Sequence, residues 1–177
     1  MTDLQWFVMR DLKRPNSKQM AYQLLEEQGF QVFTPKVWRL FKEGGKSVRR
    51  EVPYISNLLF VYDRRENLDP IVDTLPTLQY WWLRHTWREP MTVPYADMER
   101  FIHAVESTDT PRFYLPSEIT PEMLNRPIRI VGGPLDGYEG TLLTTRGSKT
   151  KRLLVELSGL LAVSVEVNPD FIRLIGL

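Results

Sequence analysis

The stretch from Ile128 to Leu157, IRIVGGPLDGYEGTLLTTRGSKTKRLLVEL, leaves this chain few ways to fold. Ile128 and Ile130 share one face of an extended run, the period-two pattern of a strand. Gly132-Gly133-Pro134 breaks that strand. Leu135 and Tyr138 flank a turn at Asp136-Gly137, and Gly140 opens a second run, Thr141 to Thr145. A basic hairpin loop then leads to a third strand, Leu153 to Leu157. Short strands joined by tight turns pair antiparallel. Adding Ala162–Val167 and Phe171–Ile175 gives five strands in roughly 50 residues, which suits a five-stranded SH3-like β-barrel.

The first hundred residues read differently. Leu4 to Arg10 is a buried strand, rich in aromatic and β-branched residues. Asn16, with Gln19 three residues on, starts a helix as in a capping box, and Gly29 ends it. Phe30 to Phe41 is extended, with Pro35 an irregularity. Glu43-Gly44-Gly45-Lys46 is a hairpin tip, and Ser47 to Val52 returns. Ile55 to Tyr62 is apolar enough for a central strand covered on both faces. Asp69-Pro70 reads as an N-cap and first helical position, opening a helix to about Leu75. Leu78 to Leu83 is an aromatic strand. Pro94 to Val105 is a helix with Met98, Phe101, Ile102 and Val105 on one side. The order β-α-β-β-β-α-β-α implies an N-terminal α/β sandwich. Residues 107–122 hold three prolines and no periodicity, and read as a linker. The expected class is therefore α+β: a domain over 1–106, a linker over 107–122 and a barrel over 123–177.

Composition removes several classes of function. Cysteine is absent from the 177 residues, which excludes disulfides, thiol catalysis and thiolate metal sites and suggests a cytoplasmic protein. No secretory signal or membrane-length apolar run is visible. The two histidines, His85 and His103, lie on different elements and lack a partner at i+3 or i+4, so no metal site is expected. Gly147-Ser148-Lys149-Thr150 lacks the order of a phosphate loop, and Gly133, Gly137 and Gly140 are not spaced for a dinucleotide. No cofactor and no enzymatic activity are expected. Net charge is +1. Its distribution is uneven: +4 over residues 1–60, −5 over 61–123 and +2 over 124–177. Such asymmetry suits separate partners on separate surfaces, or chance scatter on a solvated one.

Two binding surfaces follow. Lys13, Arg14 and Lys18 sit at the turn into the first helix, with Gln19, Tyr22 and Gln23 beyond. Cations for phosphates, amides for base edges and an aromatic for stacking are what single-stranded nucleic acid needs; the alternative is a solvated helix start. Lys36, Arg39, Lys42, Lys46, Arg49 and Arg50 on the hairpin extend this surface. The second surface is apolar. Tyr54, Ile55, Leu58 and Phe60, with Tyr80 and Trp82 on another strand, would line a groove for a helical partner; the alternative is that they are core.

Both halves resemble one family. IRIVGGPLDGYEG with RLLVEL resembles the KOW motif, and LQWFVMR with VPYISNLLFVY resembles the opening and central strands of the NusG N-terminal domain. NLLFVY, RREVPYISN and EPMTVPYADMERFI are most similar to the specialised UpxY group, antiterminators of capsular polysaccharide operons. Ile55-Ser56-Asn57 departs from the usual proline-glycine, and Leu135 from the usual phenylalanine. The resemblance implies a monomeric transcription elongation and antitermination factor that suppresses pausing or termination. Tyr54, Ile55, Leu58, Phe60, Tyr80 and Trp82 would dock on the clamp helices of the largest RNA polymerase subunit. Asp69, Pro70 and Ile71 would face the second-largest subunit. Lys13, Arg14, Lys18, Gln19, Tyr22 and Gln23 would read the non-template DNA strand. The KOW domain would recruit a ribosomal protein or termination factor through Leu135 and Tyr138. The rival reading is a translation-associated protein that holds ribosomal RNA with its barrel.

Overall fold

The computed structural model describes every residue except Pro15, Asn16, Thr145 and Leu177. It is a mixed α+β chain that divides into two compact units, Met1–Tyr95 and Ala96–Leu177. The division falls ahead of the boundary expected at 106/107, and it assigns the third helix to the second unit.

The first unit contains, in order, β1 (Leu4–Asp11), α1 (Ala21–Glu27), β2 (Gln31–Phe33), β3 (Lys36–Glu43), β4 (Lys46–Pro53), β5 (Leu58–Arg64), α2 (Arg65–Thr74), β6 (Leu78–Tyr80) and β7 (Thr92–Val93). Its main sheet runs β2-β5-β1-β6, with β7 also on β1, and every pairing is antiparallel. Strand β5 is central, as its apolar run implies. Its register with β1 runs from Leu4↔Arg64 to Arg10↔Leu58. The pleat sends Phe7, Met9, Leu59, Val61 and Tyr80 to one face, where Ala21 and Leu25 of α1 and Leu68 of α2 join them in a core. Trp6, Val8, Leu58 and Phe60 point to the opposite face and are also buried. Burying each large apolar side chain contributes about 1.5–3 kcal/mol.

Two helices begin elsewhere than the sequence suggests. Asn16, the expected start of α1, lies outside the described residues. The helix itself begins at Ala21, and the Met20 N–H donates to Gln23 Oε1 at 3.0 Å, so Gln23 rather than Gln19 closes the first turn. Gly29 follows its end with φ +87°, as expected. Helix α2 starts at Arg65, not at Asp69, and Pro70 lies inside it. Proline there forgoes one backbone donor without ending the helix. The strands β3 and β4 form a two-stranded sheet of their own. Its tip uses Gly44 and Gly45 at φ +54° and +78°, the positive pair that a two-residue hairpin needs.

The second unit holds all but the first residue of α3 (Tyr95–Glu106), then β8 (Arg112–Tyr114), β9 (Leu124–Ile130), β10 (Glu139–Leu143), β11 (Lys151–Leu157), β12 (Leu161–Val167) and β13 (Ile172–Leu174). Six strands make one antiparallel sheet in the order β13-β9-β10-β11-β12-β8. The five expected strands are all present, although Thr145, the expected end of the second, lies outside the described residues. The sixth, β8, comes from the stretch expected to be linker: Phe113 pairs with Val163 and is buried. Gly140 is required by packing, because a Cβ there would stand 2.5 Å from the Leu154 carbonyl oxygen. Gly132 and Gly133 combine positive φ with the Phe171 ring, 3.0 and 2.8 Å from where a Cβ would be.

Candidate nucleic-acid and partner interfaces

The basic turn before α1 is organised by an aspartate that the sequence reading passed over. Asp11 ends β1 and is 2% exposed. Its carboxylate accepts from Lys13 N at 2.9 Å and from Ala21 N, the first residue of α1, at 2.8 Å. It thus closes the loop from both ends and satisfies a helix N-terminal donor. Several residues expected to face nucleic acid are spent within this loop and on α1. Lys13 Nζ donates to the Gln19 carbonyl at 3.0 Å, Gln19 Nε2 donates to Glu27 Oε2 at 2.8 Å, and Gln23 caps α1. Tyr22 is half-buried under Lys36 Nζ, 5.0 Å from the ring centre. Burial, then the charges of Glu26 and Glu51, push its phenol up. Arg14 and Lys18 remain exposed, without an acidic partner among the described residues. The surface is therefore a pair of free cations beside a braced loop, not a row of six open donors.

The six residues expected to line one apolar groove do not share a face. Val8↔Phe60 and Arg10↔Leu58 put Phe60 and Leu58 on one side of the sheet. Met9↔Tyr80 puts Tyr80 on the other, in the core beside α1 and α2. Leu58, Phe60 and Tyr80 are each at most 5% exposed. The period-two pleat is the reason: positions on two strands face the same way only when the register says so, and the sequence does not fix register. Tyr54 and Ile55 are half-buried in the turn entering β5, where Tyr54 N donates to the Pro35 carbonyl. Trp82 is 40% exposed, with its ring edge-on to Tyr80 at 5.4 Å.

Asp69, Pro70 and Ile71 lie together on α2 but serve different ends. The Tyr80 hydroxyl donates to Asp69 Oδ1 at 2.8 Å, and Arg65 Nε approaches the same oxygen at 3.4 Å. Burial first, then the hydrogen bond and charge of Asp69, push the Tyr80 phenol far above its ordinary value. Ile71 packs on the core, and Pro70 is exposed.

In the second unit, Leu135 is buried and Tyr138 half-buried. Helix α3 meets this turn directly. The Tyr138 hydroxyl donates to the Arg100 carbonyl at 2.7 Å, and the Arg100 guanidinium stands 4.7 Å from the Tyr138 ring centre. His103 Nε2 lies 2.7 Å from the Pro134 carbonyl oxygen. The turn is thus largely occupied from within its own unit. Burial pushes the Tyr138 phenol up, against the charge of Arg100.

Two exposed regions carry more aromatic and basic groups than the expected sites. The β3–β4 hairpin exposes Trp38, Leu40 and Phe41, with the Arg49 guanidinium 4.8 Å from the Trp38 ring centre. The segment between β6 and β7 exposes Trp82, Leu83 and Trp87, with Arg88 against Trp87 and positive φ at His85 and Arg88. The density of tryptophan and arginine in WWLRHTWREP was the available signal for the second region. Among the described residues no group of three potential metal ligands gathers, and no helix is long and apolar enough to cross a membrane. Compared with known proteins, the chain matches no family model and no curated sequence.

Proposed function

We propose that this chain is a NusG-type transcription elongation and antitermination factor that binds RNA polymerase and suppresses pausing or termination. The observation that carries the reading is IRIVGGPLDGYEG, laid down as strand β9, a glycine turn and strand β10, and following in the chain a unit whose five-stranded antiparallel sheet packs two helices on one face. In this reading the second unit is the KOW-type barrel. Polymerase contact falls to the residues of the expected set that solvent reaches, Tyr54, Ile55 and Trp82, with the acidic end of α2 beside Pro70 facing a second subunit. Arg14 and Lys18 contact the exposed DNA strand as point charges. Action follows from preference: a factor that binds the active polymerase conformation more tightly shifts the enzyme toward it.

The test is co-purification with core RNA polymerase. The chain is expected to bind, and Ile55→Asp with Trp82→Ala is expected to weaken binding by about tenfold or more. Failure of the intact chain to bind core polymerase would sink the reading. Unchanged binding by the double variant would move the contact elsewhere. Arg14→Ala with Lys18→Ala is expected to weaken only recruitment that depends on DNA, and the more so at low salt.

A further inference from the structure

One face of the second unit's sheet carries a cluster of charge that the proposed function does not use. The register sets Arg152 on β11 opposite Glu166 on β12, and Ser164 on β12 opposite Arg112 on β8. The pleat therefore points all four side chains to the same side. Arg152 is 2% exposed, an unusual position for a guanidinium. It is held rigidly: Nε donates to Ser164 Oγ at 2.9 Å, and Nη2 to the carbonyls of Ser164 and Thr110 at 2.7 and 2.6 Å. Nη1 lies 3.4 Å from Glu166 Oε1. Burial, then the charge of Arg112, push Arg152 below its ordinary pKa, while Glu166 pulls it back.

Beside this anchor is a cavity of about 330 Å³ lined by Arg112, Arg146, Ser148, Thr150, Arg152 and Glu166. Three guanidiniums face one carboxylate, which leaves two positive charges uncompensated. Glu166 is itself half exposed and also accepts from Thr110 Oγ1 at 3.1 Å. Arg112 and Arg146 have no acidic partner among the described residues. The Ser148 hydroxyl oxygen accepts from Thr150 N at 3.1 Å, and its proton can be donated to a ligand. Like charges gathered around a partly enclosed, polar space favour an anion with several acceptor oxygens.

We propose that this cavity binds a small phosphate monoester, a nucleotide or sugar phosphate, through its dianionic phosphoryl group. The charge identifies the class. A monoester near neutral pH brings almost two negative charges against the two uncompensated positive ones, whereas a diester brings one. The volume suits a ligand of nucleotide size. Planar guanidiniums pair with phosphoryl oxygens two at a time, which Arg112 and Arg146 can do, while Arg152, its donors held by Ser164, Thr110 and Glu166, adds a fixed positive charge beside them.

Calorimetric titration of the whole chain tests this with three probes: inorganic phosphate, adenosine 5′-monophosphate and its cyclic 3′,5′-diester. Phosphate and the monoester are expected to bind saturably, the monoester at least about tenfold more tightly than the cyclic diester. Arg112→Gln with Arg146→Gln is expected to weaken the monoester by about tenfold or more while leaving the unfolding midpoint unchanged, since both side chains are exposed. Equal affinity for the two adenosine phosphates, no saturable binding up to about 10 mM, or an unchanged double variant would each overturn the assignment. Tighter arginine-dependent binding of an oligonucleotide without terminal phosphates would overturn it in favour of a nucleic-acid backbone.

Discussion

Strand β5 and the β3–β4 hairpin sit side by side in the sequence, and both are rich in large apolar residues. Leu58, Leu59, Phe60 and Val61 are all nearly inaccessible, whereas Trp38, Leu40 and Phe41 remain 52%, 74% and 40% exposed. The difference lies in pairing. Strand β5 has β2 on one edge and β1 on the other, so both of its faces belong to a wide sheet. The hairpin strands pair only with each other. Two strands alone have no layer on which to lay an apolar face. Apolar content therefore marks core in one region and available surface in the other, and only the topology tells them apart.

The sharpest way to break that contrast is to truncate both. Phe60→Ala is expected to cost about 3–5 kcal/mol, read by urea denaturation, whereas Trp38→Ala is expected to stay within about 0.5 kcal/mol. Similar costs at the two sites would mean the hairpin is packed. For the same reason Leu58→Asp reports on folding and is no test of partner binding.

Effects of intermediate size come from close approaches and buried polar groups. Gly140→Ala is expected to cost about 1–3 kcal/mol, because its Cβ meets backbone that cannot move aside. Asp11→Ala strands the Ala21 and Lys13 amides and is expected to cost about 1–3 kcal/mol. Asp11→Asn, which keeps an acceptor oxygen, should recover part of that loss. A cost below about 0.5 kcal/mol would mean water replaces the carboxylate. Tyr80→Phe is the smallest of the three, about 1 kcal/mol. It also has a pH signature. A phenol raised in the folded state stabilises the fold fully below its ordinary value of 10.0 and loses that contribution as pH rises above it. The Phe variant should lose this alkaline slope, which denaturation midpoints near and above pH 10 would reveal.

What was legible in the sequence follows from how local the signals are. The strand β1, the hairpin tip at Gly44-Gly45, strand β5 and strands β9 to β13 rest on period-two alternation and glycine turns, which act within a few residues. Helix α2 was shortened because Pro70 reads as a start, while Arg65, Glu66 and Asn67 offer no apolar periodicity ahead of it. Strand β8 was missed because three residues among prolines pair with β12, some 50 residues away. The candidate site suffered most. Tyr80 and Phe60 part company through register, and Gln19 and Gln23 are occupied by Glu27 at the far end of α1 and by the Met20 amide. Asp11 and Arg152 are buried charges whose partners lie on other elements, which no spacing rule reveals.

The proposed function rests on engagement with transcribing polymerase, and single-round elongation on a template with a defined pause measures that directly. Adding the purified chain is expected to shorten the pause lifetime by about tenfold, and Ile55→Asp with Trp82→Ala should abolish the effect while retaining the folded circular dichroism spectrum. An unchanged pause lifetime at concentrations that saturate polymerase binding would contradict the account.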